Sequence, residues 1–201
     1  MGRQKDAERR AELLDAVTDY VLEHGLAELS LRPLARAVGA SPRILLYHFG
    51  SKEELVATAL SAARAREAAT VSSYHASVPD VPLGDLLHTA WRWISARRNE
   101  RFLRLFFEVY GLALHDPSRF PGFLEAVVAD WLPLVESALR SGGVKPDAAR
   151  GLAPLVVAVE RGLLLDLLAT GERARINRAH REFVDRLVVS TAAAAEIRSV
   201  G

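Results

Sequence analysis

The chain is predicted to be all-α, and three observations lead there. Apolar residues recur at helical spacing along most of its length, and no stretch alternates apolar and polar as a half-buried strand would. Its punctuation is that of helices, with serines ahead of prolines or glutamates and glycines or prolines at the breaks. Half of its 201 residues are hydrophobic, enough to bury a helical core. Cysteine is absent, which excludes a disulfide framework and thiolate metal sites. The net charge of +1 means that any attraction to nucleic acid must come from local placement of cations.

The chain opens on a charged segment, Gly2-Arg3-Gln4-Lys5-Asp6, unlike an apolar signal sequence. No apolar run is long and clean enough to span a bilayer, so a cytoplasmic protein without membrane contact is expected. A first helix follows. Residues 30–55 then spell two short helices around a tight turn, followed by a capped third. Ser30 stands at the N-cap of the first short helix, and Pro33 falls in its first turn. Leu34, Ala35 and Val38 make its apolar face, and Gly39 supplies the permissive backbone that ends it. Ser41 is an N-cap and Pro42 an N1 residue for the second short helix. Ser51-Lys52-Glu53-Glu54 has the spacing of a capping box for the third.

At ~100° per residue the helix from Pro42 divides into two sides. Leu45 and Phe49 lie one turn apart, flanked by Pro42 and His48, and face inward. Arg43 and Tyr47 lie opposite, with Ile44 and Leu46 at the edges. Those side chains suit a duplex: Arg donates to guanine or phosphate, Tyr reaches phosphate, and Ile or Leu touches a thymine methyl. A helix-turn-helix places its second helix in the major groove, so double-stranded DNA is the expected partner. Arg3, Lys5, Arg9 and Arg10 are further cations near the start, either phosphate contacts or a solvated tail.

Leu13 to Leu60 resembles the DNA-binding domain of TetR-type transcriptional regulators. The matching stretches are Leu14-Asp15-Ala16-Val17, Glu23-His24-Gly25-Leu26, Ser30-Leu31-Arg32, Leu34 through Ser41, and Tyr47-His48-Phe49-Gly50-Ser51-Lys52-Glu53-Glu54-Leu55. The resemblance implies a candidate DNA-contacting set of Ser30, Arg32, Ser41, Arg43, Ile44, Leu46, Tyr47, His48 and Lys52. In the family the position of Tyr47 commonly touches DNA and that of Lys52 a phosphate. Helix physics supports Lys52 independently, because free N–H groups at a helix start attract phosphate. Ile44 and Leu46 depart from the usual pattern of a small hydroxyl residue and an aromatic, so an operator sequence does not transfer. The implied organisation is a DNA-binding domain over 1–50 and a helical effector-binding and dimerisation domain over 51–201. Repression is a family expectation.

Beyond Phe49 the pattern stays helical: 51 to about 74, a turn at Ser77–Pro82, 83–97, 100–114, a loop at His115–Ser118, 122–140 kinked at Pro133, a break at Ser141–Gly143, 146–170 containing Pro154, and 174–197. Leu152 to Leu168 is apolar almost all round, which demands cover on every face. The last two helices therefore read as half of a four-helix dimer interface, carried by Val157, Glu160, Arg161, Leu164, Phe183 and Leu187. Dimerisation would set two recognition helices about 34–36 Å apart on a palindrome. The middle helices hold most of the large aromatics. Trp91, Phe106, Tyr110 and Trp131, with Glu108 or His88 for polarity, are candidates to line a pocket for a small apolar or aromatic effector.

Catalysis finds no support. The six histidines show no paired metal spacing, and without strands no glycine loop follows one. No catalytic residue, metal or cofactor is expected. A helical adaptor without operator recognition would not need the outward Arg43–Tyr47 flank.

Overall fold

The computed structural model describes residues 2–25, 29–77 and 81–197. Leu26 and the turn residues 78–80 lie outside the described residues, as do the side chains of the alanine run 192–195. Among the described residues ten α-helices run in chain order: α1 (Gly2–His24), α2 (Leu31–Ala37), α3 (Pro42–Phe49), α4 (Lys52–Ser77), α5 (Leu83–Ile94), α6 (Glu100–His115), α7 (Phe123–Ala129), α8 (Leu132–Ser141), α9 (Pro146–Thr170) and α10 (Arg173–Ile197). Single 3₁₀ turns, Arg97–Asn99 and Pro117–Arg119, precede α6 and α7. No strand occurs among the described residues.

Packing divides the chain into two units. The first joins Met1–Glu67 to Arg101–Val127, and the second joins Ala68–Glu100 to Val128–Gly201. In the first unit α1 packs on α2 and α2 on α3. Leu13, Val17 and Val21 repeat at four-residue intervals, and all are buried together with Leu34, Leu45 and Leu55. Each such side chain contributes roughly 1.5–3 kcal/mol by leaving water. Thr18, buried among them, donates its hydroxyl to the Leu14 carbonyl at 2.7 Å, so no polar group is left unsatisfied there. The Arg66 guanidinium ties α4 to α1, meeting Asp15 at 2.6 Å and Asp19 at 3.0 Å.

In the second unit α9 packs against α8 and α10, and α5 against α8 and α10. Leu83, Leu87, Leu139, Val156, Val184 and Leu187 form the centre of its core. A Cβ at Gly142 would lie 2.7 Å from the Leu83 Cβ, so the end of α8 approaches the start of α5 as only glycine allows. α9 continues through Pro154 as expected.

The 122–140 segment differs from its expected single kinked helix. α7 ends at Ala129, and Pro133 sits in the first turn of α8. A proline in that turn has no N–H to leave unpaired, whereas inside a helix it removes a bond and clashes with the preceding turn. The chain therefore restarts at Leu132 instead of bending. The 83–97 segment likewise stops at Ile94, where a 3₁₀ turn takes over at Arg97.

The outer side of α9 is apolar. Gly151, Leu155, Ala158, Gly162 and Leu165 are all exposed, and they follow one another at three- and four-residue steps. Leu155 and Leu165 remain 51% and 50% exposed.

Candidate nucleic-acid interface

The turn between α2 and α3 is built by backbone hydrogen bonds. Val38 N–H donates to the Leu34 carbonyl at 3.0 Å and Ala40 N–H to the Ala35 carbonyl at 2.8 Å. Gly39 between them has φ +65°, the left-handed conformation that closes a helix. Ser41 then caps α3. Its Oγ accepts from Ile44 N–H at 3.2 Å, and Pro42 takes the first helical position. Gly50, at φ +78°, ends α3. The Ser51–Glu54 capping box forms reciprocally: Ser51 N–H donates to Glu54 Oε2 at 2.7 Å, and Glu54 N–H to Ser51 Oγ at 3.1 Å.

Between these two fixed ends, α3 buries Leu45 and Phe49 and presents the opposite flank. Tyr47 is 73% exposed, Ile44 42% and Leu46 39%, and Arg43 is exposed beside them. Three large apolar or aromatic side chains facing water within one eight-residue helix gain nothing for the free protein. Ser30 and Arg32 are exposed at the start of α2, where the Ser30 side chain makes no capping bond. Lys52 heads α4, at the positive end of its dipole.

His48 does not join this flank. Its side chain is 6% exposed, and Nε2 lies 4.0 Å from the Asp6 carboxylate on α1. Standing one residue before Phe49 on the inward side, its side chain is covered by the first helix and lies apart from the exposed flank. Two α1 cations are likewise directed at the protein. Arg10 Nε donates to the His48 carbonyl at 3.2 Å, and its guanidinium lies 5.2 Å over the Phe49 ring. Arg9 pairs with Glu12 at 3.1 Å and reaches the Gly39 carbonyl at 3.5 Å. These arginines brace the motif by meeting backbone carbonyls at the ends of α2 and α3. No sequence signal marked that role, because both lie some thirty or more residues from their partners.

The aromatic candidates fall into two groups, one in each unit. In the first unit Phe106 is buried and stacks on Tyr110 at 5.9 Å, while Glu108 is exposed. In the second unit Trp91 is buried, and its Nε1 donates to Asn177 Oδ1 at 2.9 Å. It stacks on the His180 ring at 4.6 Å, and His88 meets the same ring edge-on at 5.3 Å. His180, 1% exposed, lies 2.9 Å from Glu160 Oε1. Burial, and then the neighbouring His180, push the His88 pKa down. Trp131 is half-buried ahead of α8. His180 was missed in the sequence, although it continues the inward run of Ile176, Val184 and Leu187 at three- and four-residue spacing.

Of the candidate interface residues, Leu164 and Leu187 are already buried within one chain, and Glu160 turns to His180. Val157, Arg161 and Phe183 are half-buried. Among the described residues of the last two helices, the Leu155–Leu165 stripe of α9 and Val189 of α10 stay exposed.

Residues 13–59 match the family model described as bacterial regulatory proteins, tetR family. A member of the TetR family from Streptomyces coelicolor A3 is 30% identical, with the match covering 90% of this chain and 98% of that one at a TM-score of 0.65. The chain belongs to the TetR family. Other solved structures agree. The multidrug binding protein EbrR, solved with proflavin, is 28% identical over 89% of this chain and 99% of its own, with a TM-score of 0.64. A transcriptional regulator from Rhodococcus sp. Rha1 shares the fold at 18% identity and a TM-score of 0.70, covering 90% and 96% of the two chains. A search of curated proteins returns no match.

The stretch matching the TetR model contains α2, α3 and the first residues of α4, and hence the whole outward flank. This TetR-family chain is a DNA-binding transcriptional regulator, and its family is one of regulators and not of enzymes. Among the described residues no helix is long and apolar enough to cross a membrane, and no three His, Asp or Glu side chains gather as a metal site would need.

Proposed function

We propose that this TetR-family protein is a ligand-responsive repressor that binds a pseudo-palindromic operator as a homodimer. The observation that carries the reading is the outward flank of α3, where Arg43, Ile44, Leu46 and Tyr47 stand exposed between two capped ends. Arg43 reads a base edge, Ile44 and Leu46 meet thymine methyls, and Tyr47 reaches a phosphate. Ser30, Arg32, Ser41 and Lys52 hold the backbone around them. Residues 1–50 are the reading head, and 51–201 bind the effector and the second chain.

The Leu155–Leu165 stripe of α9 supports the dimer, since small residues between two leucines let another helix approach closely. The aromatic groups around Trp91 and around Phe106 and Tyr110 support a small apolar or aromatic effector, as does the likeness to EbrR, which was solved with proflavin. An effector releases the operator by preferring a dimer whose two heads do not match successive major grooves. A gel shift on the DNA upstream of the protein's own gene tests this reading. A retarded band that weakens steeply with added salt is expected. Absence of any specific shift over that DNA would remove the repressor assignment.

A further inference from the structure

Side chains from one side of α1 grip the last turn of α3. Arg10 Nε donates to the His48 carbonyl at 3.2 Å, and the same guanidinium lies 5.2 Å over the Phe49 ring. Asp6 stands one turn earlier on that side of α1, and its carboxylate lies 4.0 Å from His48 Nε2. Phe49 is itself buried, so the ring under Arg10 is anchored in the core of the first unit. Arg10 thus holds two consecutive residues of α3, one by its backbone and one by its side chain.

The physics of helix ends gives this grip a purpose. The last carbonyls of a helix find no donor within it. In α3 the Gly50 N–H returns to the Leu46 carbonyl at 2.9 Å, and the His48 carbonyl beyond it takes its donor from Arg10. A positive group there also meets the negative end of the helix dipole. An eight-residue helix has little stability of its own, so outside contacts decide how it is set. Ser41 fixes the start of α3, and Arg10 fixes its end. The flank of Arg43, Ile44, Leu46 and Tyr47 lies between those two holds. Side-chain tips stand about 5–6 Å from a helix axis, so a turn of about 10° moves them by about 1 Å. A hydrogen bond to a base edge tolerates only about half that displacement. Phosphate contacts carry no sequence information, so their loss or gain does not change which bases are chosen.

We propose that Arg10 is a positioning residue for sequence discrimination, setting the angle at which α3 offers Arg43 and Tyr47 to the bases. This assignment rests on the operator reading above. It gives an exposed cation of α1 a part other than meeting a phosphate: its work is done on the protein's own reading helix. The part calls for arginine in particular. A guanidinium offers a flat face to the Phe49 ring and an N–H in the same plane to the His48 carbonyl. Lysine keeps the positive charge but lacks that plane, so it cannot make both contacts at once.

The test uses the full-length protein and a duplex that the parent chain selects from a random pool. Affinity for that duplex and for an unrelated one of equal length is measured over a range of salt, well below each protein's melting temperature. Arg10→Lys should bind the selected duplex about tenfold more weakly, with the unrelated duplex and the salt slope unchanged. Arg10→Gln should behave alike, because it too lacks the planar fork. A role in stability alone would lower the melting temperature and leave the ratio of the two affinities as it was, which would overturn the proposal. A phosphate contact would give a third pattern. Lysine would then serve nearly as well as arginine, and Arg10→Gln would weaken both duplexes alike and reduce the salt slope by about one. That pattern also overturns the proposal. Amide hydrogen exchange without DNA reads the hold directly: Phe49 and Gly50 should exchange faster in both variants, and unchanged exchange would refute it. A parent chain that selects no sequence defeats the operator reading and this assignment with it. A parent that selects one, beside variants that discriminate equally well, defeats this assignment alone.

Discussion

Arg43 and His88 illustrate how much a single side chain depends on what surrounds it. Arg43 is exposed on a helix held at one end by the Ser41 cap and at the other by Gly50. If it reads a base, Arg43→Ala should weaken operator binding by about 1–3 kcal/mol and relax preference at one position of each half-site. Fluorescence anisotropy on a set of single-base operator variants checks both. A loss of affinity that is uniform over all the variants would make Arg43 a phosphate contact instead. His88 carries a different consequence. Burial, and then the charge of His180, lower its pKa below the ordinary histidine value of 6.5, although Asp185 and Asp85 act in the other direction. The unfolded chain therefore takes up this proton at a higher pH than the folded one. Its contribution to stability is complete above the ordinary value and declines as pH falls through the lower folded value. Thermal melts at about pH 7.5 and about pH 5 should show a loss that is smaller in His88→Gln than in the parent chain. Equal losses in the two proteins would mean that His88 contributes nothing to the slope.

At the scale of elements, the junction of α3 and α4 is tightly constrained. Gly50 holds φ +78°, and an added Cβ would come within 2.0 Å of Glu54 Oε2, the atom that accepts from Ser51 N–H. Gly50→Ala thus strains the backbone and displaces a cap together. It should lower stability by about 1–3 kcal/mol, measured by urea unfolding. An unchanged midpoint would show that the junction relaxes freely. This junction was legible in the sequence because a capping box is a local device: four consecutive residues contain both donors and both acceptors. The same holds for Ser41, Pro42 and Gly39. The break at Trp131 was less legible. Pro133 can either kink a helix or begin one, and what lies around the chain chooses between them.

On the scale of the whole molecule, the two faces of α9 separate stability from association. Leu164 is 5% exposed, so Leu164→Arg would bury a charge in the chain's own core and unfold it at lower temperature. Leu165, one position on, is half exposed. If the stripe joins two chains, Leu165→Arg should leave the melting of a dilute sample nearly unchanged while light scattering reports single chains. Operator affinity should then fall sharply, because two linked heads bind far better than one. Scattering that still reports two chains would move the interface elsewhere.

What the sequence determined by itself was the reading head. Its all-helical character, the turn, both caps and the outward flank of α3 follow from residues within about ten positions of one another, where periodicity and capping chemistry act directly. Tertiary structure alone decided three matters. His48 turned to α1, Leu164 and Leu187 were covered within their own chain, and Arg64 came to lie against Phe123. Each depends on which helix covers which face of another, and a helical repeat specifies that a face is apolar without naming the surface that will cover it.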